Sequence, residues 1–152
     1  MKVLLEDALK KIVAFLNKEK IEYIIIGGIA AGVLGEPRFT GDIDVDIFLG
    51  KDDIVDFINK VKAAGFKASL AKCIKTVKER GVFQIKYADF HIDFIIASIG
   101  LEEEAFGRKK AFKLYGLRVF FPTPEDFILL KIISARPQDL IDAEKAIIRH
   151  KD

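Results

Sequence analysis

Residues 24–49 read IIIGGIAAGVLGEPRFTGDIDVDIFL, and this stretch decides the fold. The apolar run over residues 21–26 is too short for a typical helix and rich in β-branched side chains, which predicts a buried strand. Gly27-Gly28 then predicts a tight turn into a short helix over residues 29–34. Residues 42–49 alternate acidic and apolar side chains with the period of two that is typical of a strand with two different faces. The stretch therefore predicts strand, turn, helix and strand in that order.

The rest of the chain alternates helical and extended patterns. Helical spacing of apolar residues predicts helices over 3–19, 51–64 and 138–149, and a less regular pattern of the same kind covers 67–80. Extended runs over 82–87 and 90–97 predict a hairpin, 102–110 a charged helix or loop, and 112–121 short extended segments around Gly116. Thr123 as N-cap and Pro124 at the first helical position predict a further helix, which Arg136-Pro137 ends. We expect an α+β fold, a mixed β-sheet flanked by helices, in one domain over residues 1–152, with a core over 21–121 and a C-terminal helical pair over 123–149.

Composition narrows the class of protein. The chain has 152 residues with 25 Lys and Arg against 23 Asp and Glu, so binding of a polyanion by bulk charge is not expected, although local basic patches are compatible with this balance. Cys73 is the only cysteine, and with His91 and His150 as the only histidines there is neither a disulfide nor zinc-ligand spacing. No apolar run is long enough to span a bilayer and the N-terminus lacks a signal-peptide pattern, so we expect a cytoplasmic protein. Two Asn and two Gln beside abundant Lys, Glu and Ile form a bias seen in proteins from hot environments.

Four aspartates carry the chemistry that the sequence predicts. Asp42, Asp44 and Asp46 lie at alternate positions of one strand, so their carboxylates project from the same face and repel one another. An exposed strand face would explain these three, but Asp93 is a lone acid in an apolar strand and needs a partner. If the two strands are neighbours, Asp93 comes within about 5 Å of the first two aspartates. Such carboxylates can hold two divalent cations, with Mg²⁺ as the natural occupant, for phosphoryl or nucleotidyl transfer.

Gly27-Gly28 suggests a second part of the same site. The missing side chains let backbone amides and a helix N-terminus approach phosphate oxygens. A Gly-Gly pair by itself is more often an ordinary turn. It indicates a phosphate site here only together with the aspartates that follow after a spacer of thirteen residues.

The constellation of Gly27-Gly28, Asp42-Ile43-Asp44-Val45 and Asp93 resembles the nucleotidyltransferase superfamily of DNA polymerase beta. The pattern Gly35, Pro37, Arg38, Thr40, Asp42 and Asp44 looks closest to the small branch of minimal nucleotidyltransferases and abortive-infection type-E toxins. The C-terminal Pro124-Glu125-Asp126 helix start, a lysine at 131 and the segment Arg136, Asp139, Asp142 are similar to that branch as well. The resemblance covers most of residues 21–148 and implies the nucleotidyltransferase fold.

The resemblance also implies roles. Asp42 and Asp44 would hold the magnesium ion of the nucleotide, and Asp93 would complete a second metal site and act as general base. The nucleotide, expected to be ATP, would be held at its phosphates by Gly27, Gly28, Arg38, Thr40 and Lys131. Asp46 matches no ligand of the family and is interpreted as a solvated strand residue or as a group beside the ligands.

Several of these residues have simpler interpretations. Arg38 could pair with one of the aspartates, and Lys131 could be an ordinary exposed helix lysine. Arg136, Asp139 and Asp142 are expected to form ion pairs that anchor the last helix. The basic cluster Arg108-Lys109-Lys110 with Lys113 is more often solvated than bound to an acceptor.

Three functions follow from these residues and the resemblance. The first is a magnesium-dependent enzyme that moves a nucleoside monophosphate, expected to be AMP, from an NTP to a hydroxyl. The second is an antitoxin-type module that binds a helical HEPN-type protein, and the third is a nucleotide sensor. A chain of this length has no room for the extra domains of a template-copying polymerase, so we expect a protein or RNA acceptor and leave a homo-oligomer open.

Overall fold

A computed structural model describes residues 2–38, 40–97 and 100–151. The α-helices are α1 (Leu5–Lys18), α2 (Gly27–Leu34), α3 (Ile54–Ala63), α4 (Leu70–Arg80), α5 (Gly100–Arg108), α6 (Pro124–Ser134) and α7 (Pro137–His150). The strands are β1 (Tyr23–Ile26), β2 (Asp42–Ile47), β3 (Val82–Tyr87), β4 (Phe90–Ile96), β5 (Lys110–Leu114) and β6 (Leu117–Phe121). One 3₁₀ turn, Lys51–Asp53, leads into α3.

The central sheet has four strands in the order β1-β2-β4-β3. The β2 and β4 strands are parallel, whereas β1 and β3 pair antiparallel with them from outside. The β5 and β6 strands form a separate two-stranded hairpin. The mixed sheet with flanking helices is the α+β arrangement that the sequence predicts.

The two faces of β2 have opposite character. Ile43, Val45 and Ile47 are fully buried in a core that α1, α3 and two aromatic residues, Phe83 and Phe94, complete. The α1 helix joins this core because Ala8, Leu9, Ile12, Val13 and Leu16 fall on one side of it. The aspartates of β2 therefore project from the other face, on which α5 buries Ile24 beneath Ala105 and Phe106.

The local signals place most element boundaries within a few residues. Residues 67–80 contain helix α4, which Ser69 begins by accepting a hydrogen bond from the Lys72 amide and which Gly81 ends with a left-handed φ of 69°. The strand predicted over 42–49 ends at Ile47, and the helix predicted from 51 begins with a 3₁₀ turn. Thr123 caps α6 as predicted by accepting a hydrogen bond from the Asp126 amide. In the described ranges, no helix is both long and apolar enough to cross a membrane.

Candidate active site

The register of the sheet places Asp44 and Asp93 side by side. Asp44 pairs with Asp93 across β2 and β4, with Ile26 on its other side and with Gln84 beyond Asp93. Gln84 Nε2 donates a hydrogen bond of 2.6 Å to Asp93 Oδ1. This row runs from the glycine turn after β1 across the sheet to β3, and it confirms that the two acidic strands are neighbours.

The electrostatics of the row suit a hard cation. The pKa of Asp44 is raised to about 6, first because burial removes the carboxyl from water and then because Asp93 and Asp42 repel its charge. Beside this row, at the exposed start of β2, His91 Nδ1 lies 3.8 Å from Asp42 Oδ1. Carboxylate oxygens are the ligands that Mg²⁺ prefers, and a divalent cation would relieve this repulsion. In the part of the chain that the structure describes, no three His, Cys, Asp or Glu side chains already form a closed metal-ligand cluster.

Asp46 departs from the sequence prediction, because it is not solvated. Only 2% of the residue is exposed, and its Oδ1 finds no hydrogen-bond partner among the described residues. Its pKa is raised to about 8, first by burial and then by the charges of Glu102 and Asp44. The interpretation of Asp46 as a solvated strand residue is therefore wrong, because α5 and α6 cover this part of the acidic face.

The glycine turn packs so closely against its neighbours that a side chain at either glycine would not fit. Gly27 has φ of 68°, in the left-handed region, and a Cβ there would overlap the carboxylate of Asp44. A Cβ on Gly28 would lie 2.6 Å from Thr40 Oγ1. Thr40 is in turn held by donating a hydrogen bond of 3.2 Å to the carbonyl of Asp42. The two glycines therefore let the chain pack directly against the acidic strand.

A cleft of about 340 Å³ brings most of the predicted site residues together. It is lined by Gly27, Gly28, Arg38, Thr40, Asp42, Asp44 and Lys131, together with Arg136 to Asp139. Asp93 lies outside this lining, in a neighbouring cavity of about 560 Å³ that also contains Gln84, Lys72, Arg80 and Arg136. The structure therefore divides the predicted site residues between two adjoining spaces.

Lys131 is not the exposed helix lysine of the simpler interpretation. It is 8% exposed, and its Nζ lies 3.0 Å from Asp139 Oδ1 and 3.1 Å from Asp142 Oδ2. Arg38 makes two hydrogen bonds of 3.0 Å to Asp142, so one carboxylate partner of Arg38 is on α7. Both cations line the cleft while they hold α7 in place.

Arg136 forms the ion pair that the sequence predicts and also belongs to the site. Its Nε lies 2.7 Å from Asp139 Oδ2 at the start of α7, and both residues line the cleft. Asp139 is the main cause of the raised pKa of Arg136, and Asp44 adds to it from the sheet. Sequence reasoning missed this second role, although the segment Arg136, Asp139, Asp142 was its signal.

The basic cluster at the end of α5 is partly neutralised. Arg108 donates hydrogen bonds of 2.9 and 2.7 Å to the two carboxylate oxygens of Asp126, and Lys109 Nζ lies 3.2 Å from Glu22 Oε1. These contacts favour the simpler interpretation over an acceptor-binding patch.

Comparisons with known proteins agree with this geometry. A family described as nucleotidyltransferases of unknown function (DUF6036) matches residues 4–151. No curated protein matches the sequence.

Solved structures with a similar fold share little sequence with the chain. The lincosamide antibiotic adenylyltransferase LnuA in its lincomycin-bound form has 16% identity and a TM-score of 0.62 over 95% of this chain and 98% of its own. The antibiotic-resistance factor ANT(2'')-Ia has 16% identity and a TM-score of 0.65 over 95% and 83%. An antigenic nucleotidyltransferase-like protein from Paracoccidioides brasiliensis has 15% identity and a TM-score of 0.56 over 95% and 76%. At these identities the similarity concerns the fold, and the predicted superfamily is confirmed while its narrower branch stays a prediction.

Proposed function

The chain belongs to this family of nucleotidyltransferases, and we propose that it moves AMP from ATP to a hydroxyl of a protein or RNA acceptor with release of pyrophosphate. The observation that carries the proposal is the row in which Asp44 pairs with Asp93 beside the turn at Gly27. This row places two carboxylates next to the first residue of helix α2, and a helix N-terminus attracts phosphate oxygens.

The proposed reaction depends on Mg²⁺. Asp42, Asp44 and Asp93 would hold the metal, since they are hard oxygen donors and since burial, followed by the charges of Asp93 and Asp42, raises the pKa of Asp44. When bound, Mg²⁺ would supply positive charge to the entering and leaving oxygens of the displacement.

The chain's own residues would bind the phosphates of the nucleotide, orient the reacting groups and accept the proton of the acceptor hydroxyl. In the displacement, the acceptor oxygen bonds to the α-phosphorus, the bond from that phosphorus to the pyrophosphate oxygen breaks, and the hydroxyl proton passes to Asp93. Gln84 keeps Asp93 oriented through its hydrogen bond of 2.6 Å. The amides at Gly27 and Gly28 would face the β- and γ-phosphates, and Thr40, whose hydroxyl donates to the Asp42 carbonyl, would lie beside them.

Lys131 and Arg38 act in this proposal through the positive charge that they place along the cleft. Both are engaged with Asp142, so they are held in position before a nucleotide arrives. Preorganised charge of this kind stabilises phosphate oxygens without a reorganisation step.

An apolar surface on the C-terminal helices favours a second candidate function, the binding of a helical HEPN-type protein. Apart from Ile133, which lines a cavity beside the acidic row, six large apolar side chains on α6 and α7 are 46–56% exposed, namely Leu129, Ile132, Leu140, Ile141, Ile147 and Ile148. Exposed patches of this kind mark protein contacts, and a second copy of the chain is an alternative occupant. Partner binding and transfer are compatible, because this surface excludes the residues of the acidic row.

The experiment is a calorimetric titration of ATP, GTP, CTP and UTP with Mg²⁺ into the protein and into Asp42→Asn/Asp44→Asn. Asp52→Asn/Asp53→Asn is the matched control, since it removes two exposed acids outside the site. We expect magnesium-dependent binding that only the first double variant loses. Absence of triphosphate binding, or equal binding by Asp42→Asn/Asp44→Asn, would contradict the assignment.

A further inference from the structure

A cavity of about 180 Å³ lies next to the cleft, between the acidic face of the sheet and helix α6. Its walls are largely apolar, with Ile26, Ile95, Phe127, Leu130 and Ile133 among them. Ligand sites are generally of this kind, with apolar walls and a few polar atoms that fix orientation.

Asp46 supplies the polar atom of this cavity. It lines the cavity, is 2% exposed, and has an Oδ1 without a hydrogen-bond partner among the described residues. Leaving a buried carboxylate oxygen unpaired is costly, so the site favours a ligand that donates an N–H or O–H to it. Glu102 also lines the cavity. With two carboxyl groups present, a ligand edge made of hydrogen-bond acceptors is unfavourable there.

The position of the cavity assigns it to the nucleotide. It shares Gly27, Asp44, Lys131, Arg136 and Asp139 with the phosphate cleft, so one ligand can occupy both spaces. Asp93 and Gln84 line the other cavity, toward β3, which leaves that side of the row for the acceptor hydroxyl.

Asp46 and Asp44 are two residues apart on β2, and this spacing gives the distance from Asp44 in the phosphate cleft to Asp46 in the cavity. Asp46 pairs with Ile95, whereas Asp44 pairs with Asp93. Two residues of a strand span about 6.6 Å. Asp46 therefore lies about one sugar width from Asp44, in a direction perpendicular to the row.

Size limits the ligand further. Pockets for drug-sized ligands measure about 300–1,000 Å³, and this cavity of about 180 Å³ holds one ring system.

We propose that this cavity binds the nucleobase of the NTP and that Asp46 accepts a hydrogen bond from the exocyclic amine of the base. The proposal rests on the proposed function and adds to it the residue that selects the base. Adenine, guanine and cytosine carry such an amine, whereas uracil presents carbonyl oxygens on both sides of its N–H and is disfavoured beside Asp46 and Glu102.

The experiment compares triphosphates that differ in the amine. The calorimetric pairs, all with Mg²⁺, are ATP against purine riboside triphosphate, GTP against inosine triphosphate, and CTP against UTP. The protein is tested together with Asp46→Val, which removes the acceptor, and Asp46→Asn, which keeps a carbonyl oxygen at the same place.

In the unchanged protein we expect the amine-bearing member of at least one pair to bind roughly threefold to tenfold more tightly, as for a hydrogen bond of ordinary strength. In Asp46→Val that preference falls to within about twofold while triphosphate binding persists, and Asp46→Asn retains most of it. A protein that binds triphosphates without this preference, or a preference that survives in Asp46→Val, overturns the inference and leaves the proposed function standing. A protein that binds no triphosphate overturns both.

Discussion

Aspartates occur in two regions of this molecule with opposite electrostatics. On the sheet, the pKa values of Asp44 and Asp46 are raised to about 6 and about 8, chiefly by burial, which the charges of Lys131 and Arg136 offset only partly at Asp44. On the C-terminal helices, Asp139 and Asp142 are as deeply buried, but hydrogen bonds from cationic side chains lower their pKa values despite the opposing effect of burial. Burial is therefore common to both regions, and the supply of partners separates them.

This difference separates structural from functional acids. The carboxylates of α7 are satisfied within the chain by Lys131, Arg136 and Arg38, and they hold the fold together. The carboxylates of β2 have repulsive neighbours, which is a cost to folding that a bound cation and nucleotide would offset. Substitutions in the two regions should therefore have opposite effects on binding and stability.

The largest effect is expected on nucleotide binding. Asp44→Asn should weaken Mg²⁺-dependent ATP binding by at least roughly a hundredfold, the upper end of what loss of a residue beside a metal ligand costs. The free energy of unfolding should not fall, because the substitution removes a repulsive charge. Calorimetry and urea unfolding on the same preparations measure both quantities, and a less stable Asp44→Asn would contradict the comparison.

The converse substitution should damage the fold. Asp142→Ala leaves the buried Lys131 and the Arg38 guanidinium without this carboxylate, and breaking a buried pair costs about 3–5 kcal/mol of unfolding free energy. Urea unfolding measures the loss, with Glu125→Ala as a control at an exposed position of α6. A cost below about 1 kcal/mol would mean that these ion pairs do not anchor α7.

The two regions should also respond oppositely to pH. Because the pKa of Asp46 is higher in the folded than in the unfolded chain, its contribution to stability is full below about pH 4 and is lost as the pH rises through about 8. The lowered pKa values of Asp139 and Asp142 give the opposite sign, with stability present above about pH 4 and lost as the pH falls through their folded values.

Asp46→Asn isolates the first of these contributions. Between pH 6 and 8 the free energy of unfolding of the unchanged protein should fall, relative to that of the variant, by at most about 1.4 kcal/mol per pH unit. Unfolding curves at pH 6, 7 and 8 measure the difference, and parallel curves for the two proteins would show that Asp46 does not titrate in this range.

The smallest effect is expected where the α6 helix begins. Thr123→Ala removes the side chain that accepts from the Asp126 amide and should cost about 1 kcal/mol of unfolding free energy. Ser69→Ala at the start of α4 is the matched substitution, because Ser69 accepts in the same way from Lys72. Neither variant should change ATP binding, and a change in Thr123→Ala would mean that the start of α6 contributes to the nucleotide site.

Local signals in the sequence predict much of this architecture. The alternation over residues 42–49 and the Gly27-Gly28 turn predict strand β2, its acidic face and the entry into α2. Asp93 is recognisable because a lone acid in an apolar strand needs a partner, and the parallel pairing of β2 with β4 places it beside Asp44.

Long-range packing accounts for what the sequence does not predict. Alternation shows which way Asp46 projects but not what covers it, and the covering helices α5 and α6 lie more than fifty residues further along the chain. The burial of Lys131 similarly depends on carboxylates of the next helix, which periodicity within α6 cannot reveal. Both cases concern the exposure of a polar residue whose element is predicted correctly.

The most direct measurement is carboxyl ¹³C NMR of the aspartates during titration with Mg²⁺ and ATP. The account predicts that the carboxyl signals of Asp42, Asp44 and Asp93 move on addition of Mg²⁺ with ATP, while those of Asp126, Asp139 and Asp142 keep their positions. Movement of the helix carboxylates without movement of the sheet carboxylates, or no movement of any aspartate, would contradict it.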